Sequence, residues 1–255
     1  MLHPWQFVFD PEWAVVILIV AIDYGVVVWV AHRTGRVVPL WRQAAFAAGL
    51  ALIAIGLLSP IEHLALTSML TFHLLQNVII GDWAPPLLLL GLTPWMISSL
   101  AKVDWLRTFM RPKVALALWL GVWYVIHVPA VYDYAVANRG ALGVEHLALI
   151  FAGLAFWWPE IVPGQLSADH KVWYLVIAFI AIAPLDTVIW FANHPLYNFY
   201  EHTPKLGDIS ALADQQIGGV TMALESDFVL LLAAAIAAVK LVGDAPPAQV
   251  NPDPR

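Results

Sequence analysis

The sequence predicts an all-α integral membrane protein, a bundle of seven transmembrane helices. Three observations carry that prediction. The 255 residues are 61% hydrophobic and 12% charged, whereas soluble domains carry about a quarter charged residues. Mean hydropathy is +0.77. The apolar residues also gather in runs near the length of about 20 that a bilayer crossing needs. With no cysteine in the chain, disulfides, thiolate metal sites and redox thiols are excluded. No basic patch with interleaved aromatics is present, which argues against a nucleic-acid partner.

In order, the expected spans are 13–31, 43–59, 64–82, 114–129, 143–159, 172–193 and 213–241. The first follows Met1-Leu2-His3-Pro4-Trp5-Gln6, which lacks the basic stretch of a signal peptide, so it reads as a retained helix. Arg33, Arg36 and Arg42 follow it, and Lys102, Arg107, Arg111 and Lys113 precede the fourth. Both loops are expected in the cytoplasm by the positive-inside rule. That requires an odd number of crossings between them. One crossing at 64–82 satisfies it, followed by a Pro-broken segment, 84–100, lying in the interface or re-entering. Trp83, Trp95, Trp105, Trp157 and Trp158 suit an inner interfacial belt. The N-terminus is then outside and the C-terminus cytoplasmic, with Arg139 and Lys205 the two basic residues left outside. Residues 1–242 form one membrane domain, and 243–255, rich in Pro and Asp, is expected to be a disordered tail.

Seven of the nine histidines fall on the outer side: His3, His63, His73, His127, His146, His194 and His202. An imidazole inside lipid needs a partner, so this face is where metal chemistry is sought. His73 is expected about 13 Å deep in the third helix, with Met69 at i−4 and Gln76 at i+3 on one face. Met222 in the last helix is expected at a similar depth. Thioether with imidazole suits Cu(I); the alternative is that Met69 and Met222 only fill the core. His127 and His146, at facing ends of adjacent helices, form a second candidate pair. Each could instead bond a helix end. His3, His63, His194 and His202 read as loop residues. The intramembrane acids Asp23, Asp186, Glu225 and Asp227 have no Lys or Arg at matching depth. They must share protons, hydrogen bonds or a cation. For Asp23 beside Tyr24, an interhelical latch is as good a reading.

Several stretches together resemble the CtaG-type cytochrome c oxidase assembly factors. They are His73-Leu74-Leu75-Gln76 running on to Ala84-Pro85-Pro86 and Gly91, then Trp123 to Asp133 through His127-Val128-Pro129. Glu145-His146, Phe156-Trp157-Trp158-Pro159, His194-Pro195-Leu196-Tyr197 and Asp214-Gln215-Gln216 with Gly218-Gly219 before Met222 follow in the family's order. The resemblance implies a non-enzymatic role in forming haem-copper oxidase, in a bacterial plasma membrane, with oxidase subunits and a periplasmic copper carrier as partners. Homo-oligomers remain open. Two positions depart from the family pattern: Asn77 stands where a second histidine is common, and Glu225-Ser226-Asp227 follows Met222 where apolar and glycine residues are usual.

The expected function is therefore copper delivery on the extracytoplasmic side. Copper would be held by His73 with Met69 or Met222, and by His127 with His146. Gln76, Glu225, Asp186, Asp214 and Gln215 would support the ligands or carry linked protons. The competing readings are a haem- or quinone-binding redox protein, a metal-free scaffold of the oxidase, and a copper importer.

Overall fold

The computed structural model describes residues 6–7 and 10–243, so His3 and residues 244–255 of the expected tail at 243–255 lie outside the described residues. Fourteen helical segments and no strand make up the described residues. Helix α1, Pro11–Arg33, starts where Asp10 accepts the backbone N–H of Glu12 at 3.0 Å, with Pro11 preset for a first helical turn. Its chain reverses at Gly35, whose φ of 75° is a left-handed value that glycine adopts without steric cost. Helix α2, Leu40–Leu58, is followed across Ser59 by α3, Pro60–Thr67.

The next span differs from expectation. It begins at Leu70, not 64, and runs unbroken to Gly91 as α4 (Leu70–Val78), a π-helical turn (Ile79–Trp83) and α5 (Ala84–Gly91). The Pro-broken segment is therefore not a separate interfacial or re-entrant piece; residues 84–91 complete the crossing. Proline lacks an N–H and clashes with a carbonyl one turn back, and the widened π turn ahead of Pro85 and Pro86 accommodates both defects. A close crossing stabilises this irregular backbone. A Cβ on Gly153 would lie 2.0 Å from the Gly81 carbonyl oxygen, so two glycine backbones meet directly. Beyond Gly91, α6 (Pro94–Leu100) and α7 (Asp104–Phe109) are short connecting helices.

Helix α8, Pro112–Ile126, and α9, Pro129–Ala137, are bent 75° apart at His127-Val128. Helix α10 is Arg139–Ile161, α11 is Ala168–Phe191, α12 is Asn198–Glu201 and α13 is Ala211–Gly243. Six helices, or seven counting the α8–α9 pair, are long and apolar enough to cross a membrane. Trp157 and Trp158 are buried in the core instead of forming a belt, whereas Trp105 is exposed.

Helices α4 and α13 run parallel. Asp214 meets Leu70 and Thr71, and one turn on, a Cβ on Gly218 would lie 2.9 Å from Leu74 Cδ1. Helix α11 packs along α13 just as closely, since a Cβ on Gly219 would be 2.8 Å from the Trp190 nitrogen. Helix α1 is the loosest element. Its residues, Asp23 among them, are mostly exposed, while Tyr24 donates to the Gly91 carbonyl at 2.9 Å. The latch at that level belongs to Tyr24.

The short elements α3, α9 and α12 close the end of the bundle that holds the buried histidines. Both basic residues at this end are neutralised locally. Arg139 pairs with Asp10 at 3.0 Å, and Lys205 reaches Asp214 at 3.6 Å.

Candidate functional site

His73, His127 and His146 are all buried. His73 is the fourth residue of α4, so it sits about 5 Å from the start of that helix, nearer the bundle end than expected. Its Nδ1 is 2.8 Å from the Tyr200 hydroxyl, and that hydroxyl donates to the Ala65 carbonyl at 2.6 Å. With the tyrosine proton committed to a carbonyl, the phenolic oxygen must accept, so His73 carries its proton on Nδ1. In the neutral ring the lone pair is then on Nε2. That atom has no hydrogen-bond partner and lies 3.4 Å from Glu145 Oε1.

The same logic applies to His127. Its Nδ1 lies 2.7 Å from the Trp123 carbonyl, which can only accept, so the proton is on Nδ1 and Nε2 is left free. The ring stacks on Trp123 at 5.5 Å, which fixes its plane. His146 has neither nitrogen bonded. An imidazole donating one N–H to an anchor while the other nitrogen stays free is the arrangement that metal-binding histidines use.

The expected pairing is rearranged. His146 faces His73, with ring centroids 6.4 Å apart, and also Trp13 at 5.9 Å. His127 faces Tyr132 at 5.7 Å, and Tyr132 in turn faces His73 at 4.9 Å. The bend before Pro129 brings Tyr132 inward against His127 and His73, and no ring contact joins His127 to His146. The Tyr132 hydroxyl is buried and unpartnered.

Met69 precedes the first turn of α4 with an extended backbone, φ −125° and ψ 120°, so the i−4 face relation to His73 does not hold. Met222 is buried on α13. Eight residues beyond Asp214, it lies about 12 Å along an axis whose start is level with Leu70, deeper than His73 by about 7 Å. Among the described residues, no group of three or more His, Asp or Glu side chains is arranged to hold a metal ion.

The supporting residues divide. Gln76 donates to the Gly56 carbonyl at 3.0 Å and to Glu62. Asn77 donates to Glu145 Oε1 at 3.2 Å, so the residue that departs from the family pattern positions the carboxylate beside His73. Asp214 accepts from Leu70 N–H at 2.8 Å, Thr71 N–H at 3.1 Å and the Thr71 hydroxyl at 2.8 Å. It caps α4 from a different helix, which explains why α4 needs no cap of its own. Gln215 ties down the 189–196 segment by accepting Leu196 N–H at 2.6 Å and donating to the Ile189 carbonyl at 3.3 Å.

The other acids lie in a separate layer. Asp82, nine residues past His73 and so about 13 Å along the span, accepts from Trp119 Nε1 and Ser226 Oγ, both at 3.0 Å. Asp186, both of whose oxygens lack partners, is within electrostatic reach of Asp82 and Asp227. Glu225 touches this layer only through its carbonyl, which accepts Trp83 Nε1 at 3.4 Å. Neither Glu225 nor Asp227 takes the place of the histidine missing at Asn77.

Glu62, Glu145, Tyr132 and Tyr200 were not among the residues expected at the site. Glu145 was legible beside His146. Tyr200 and Glu62 lie in short amphipathic turns whose inward direction only folding decides. Outside the spans, burial raises the Tyr200 phenol well above its ordinary value, and nearby Glu145 and Asp214 push the same way. Burial also lowers the Lys205 ammonium, against the pull of Asp214.

The fold and site define a polytopic helical membrane protein with a buried histidine–tyrosine–carboxylate cluster at one end. Residues 22–244 match the family described as cytochrome c oxidase caa3 assembly factor, and the chain belongs to that family. No curated protein and no solved structure matches it.

Proposed function

We propose that the protein is a non-enzymatic assembly factor of caa3-type oxidase that carries Cu(I) as cargo through the histidine cluster. By the positive-inside rule the cluster lies on the extracytoplasmic side, because the remaining basic residues gather at the opposite end. One observation carries the reading: His73 and His127 are each anchored through Nδ1–H with a free Nε2, and His146, beside His73, has both nitrogens free. Rings 6.4 Å apart are close enough for one ion to reach a nitrogen of each at about 2 Å. Imidazole with thioether favours Cu(I), and Met69 and Met222 are the thioethers this reading adds. His73 with His146 forms the inner station, and His127, across Tyr132, the outer one. Separate stations with few ligands each let an ion move on to oxidase subunits instead of being trapped.

The test is anaerobic Cu(I) titration against a competing chelator, on wild type and on His73→Ala, His146→Ala and His127→Ala, with oxidase assembly followed in cells. Loss of tight binding in the first two variants, and of assembly in all three, is expected. Wild-type protein that binds no Cu(I), with assembly unaffected by His73→Ala, overturns the copper reading and leaves the scaffold role. An absorbance spectrum of the purified protein tests the haem alternative, which requires a Soret band.

A further inference from the structure

A groove of about 490 Å³ runs between α5, α10, α11 and α13 at the end of the bundle opposite the histidines. By the positive-inside rule this is the cytoplasmic end. Three charged residues from three helices line it there. Glu160 stands one residue before the end of α10, Lys171 is the fourth residue of α11, and Lys240 stands three residues before the end of α13. All three are therefore within about 5 Å of a helix end, the level of lipid headgroups. Further in, the lining is apolar, with Leu90 on α5 and Val229, Leu232 and Ile236 on α13. Trp157 also lines the groove, but its Nε1 is enclosed, so the indole offers only carbon surface. From Val229 to Lys240 the groove follows α13 for about 17 Å. Leu232 and Ile236 are each 49% exposed, so it opens sideways to the lipid.

The charges surround a gap and form no ion pair. Lys171 and Lys240 are the cations within electrostatic reach of Glu160, yet among the described residues no salt bridge joins any two of the three. Lys171 Nζ donates to the Glu160 backbone carbonyl instead, which leaves it two further N–H donors. The Glu160 side chain is half-buried. Its Oε2 is enclosed without a partner, whereas Oε1 is not enclosed and is bonded to nothing. The mouth thus offers a reachable carboxylate oxygen that needs a donor and two ammonium groups that need acceptors.

An anionic head would suit the lysines but set its phosphate against Glu160. A lone cation would suit Glu160 but meet two lysines. A zwitterion carrying both a phosphate and an N–H donor satisfies all three through charge-assisted hydrogen bonds. A choline head has the right charges but no N–H. An ethanolamine head has three.

We propose that the groove binds one phosphatidylethanolamine of the cytoplasmic leaflet. Its phosphate accepts from Lys171 and Lys240, its ammonium donates to Glu160 Oε1, and an acyl chain lies along α13. The lipid joins α10, α11 and α13 at the end away from the histidines, so the site stands whether or not they carry copper.

The test offers delipidated full-length protein in detergent an equimolar mixture of dioleoyl phosphatidylethanolamine, phosphatidylcholine and phosphatidylglycerol, and reads the retained lipid by native mass spectrometry. One retained phosphatidylethanolamine is expected, favoured about fivefold or more over each competitor, the ratio one such charged contact supplies. Glu160→Gln should lower the preference over phosphatidylglycerol by a similar factor while phospholipid is still retained, a readout that loss of packing would not move. Lys240→Gln should weaken retention of all three lipids. Lys113→Gln, an exposed lysine on α8 outside the groove, should change nothing. Equal retention of the ethanolamine and choline lipids by wild type would overturn the proposal, because they differ only in the N–H donors. So would a wild-type preference for phosphatidylglycerol, which would mark a plain basic surface, or an unchanged preference in Glu160→Gln.

Discussion

Replacing Tyr200 by Phe removes one oxygen and keeps the ring. That oxygen makes two buried contacts, donating to the Ala65 carbonyl at 2.6 Å and accepting His73 Nδ1–H at 2.8 Å. Each group left unpaired costs about 1–3 kcal/mol, so a stability loss of about 2–6 kcal/mol is expected for the two. The second consequence is chemical. Without its acceptor, His73 loses the hydrogen bond that fixes its proton on Nδ1 and directs Nε2 into the cluster. Losing such a partner usually lowers metal affinity about 10- to 100-fold. The assay pairs thermal unfolding in detergent with anaerobic Cu(I) competition on the same preparation. Both must fall. A lower melting temperature with Cu(I) affinity within about twofold of wild type would refute the anchored-tautomer argument, leaving Tyr200 a packing residue.

Other outcomes follow from the geometry. Asp214→Ala leaves Leu70 N–H and Thr71 N–H without their acceptor, while the Thr71 hydroxyl keeps the backbone carbonyl of residue 214. It should cost about 2 kcal/mol, the upper range for a lost cap, with Asp214→Asn recovering part of it in the same unfolding assay. Gly153→Ala forces a methyl toward the Gly81 carbonyl. The loss should reach or exceed the roughly 3 kcal/mol of severe overpacking, seen as aggregation on gel filtration, whereas Gly121→Ala should be neutral. Tyr197 and Tyr200 have phenols raised above the ordinary value of 10.0, mainly by burial. Above that pH the unfolded chain loses these protons and the folded one keeps them, so stability should fall as pH rises past about 10. Tyr200→Phe should flatten that alkaline decline; an unchanged slope would show that other groups carry it.

Much of the protein was readable before folding. Apolar runs of membrane length, arginines and lysines gathered in a few loops, and the absence of cysteine require no knowledge of contacts. His73, His127 and His146 stood out because a buried imidazole is expensive wherever the helix turns. Pro85 and Pro86 misled, since proline is read as a break. Their tolerance depends on the π turn before them and on Gly81 meeting Gly153, a contact 72 positions apart in the sequence. The 64–82 span began too early because Ser68 and Met69 are apolar enough in context to hide a helix start that Asp214 caps from another helix.

The site shows the same division. Composition and periodicity determine that this chain spans a membrane and which residues are costly there, because transfer free energy is a property of each residue and its neighbours along the helix. Which of those residues meet is a different matter. His146 faces His73 rather than His127, and beyond the 75° bend Tyr132 lies against both His127 and His73. Which nitrogen of His73 carries the proton is decided by Tyr200, 127 residues away. The acids separate from the histidines because α4 and α13 run parallel, setting Asp82 and Ser226 a layer below. Such relations depend on crossing angles and long-range hydrogen bonds, which only the packed bundle defines.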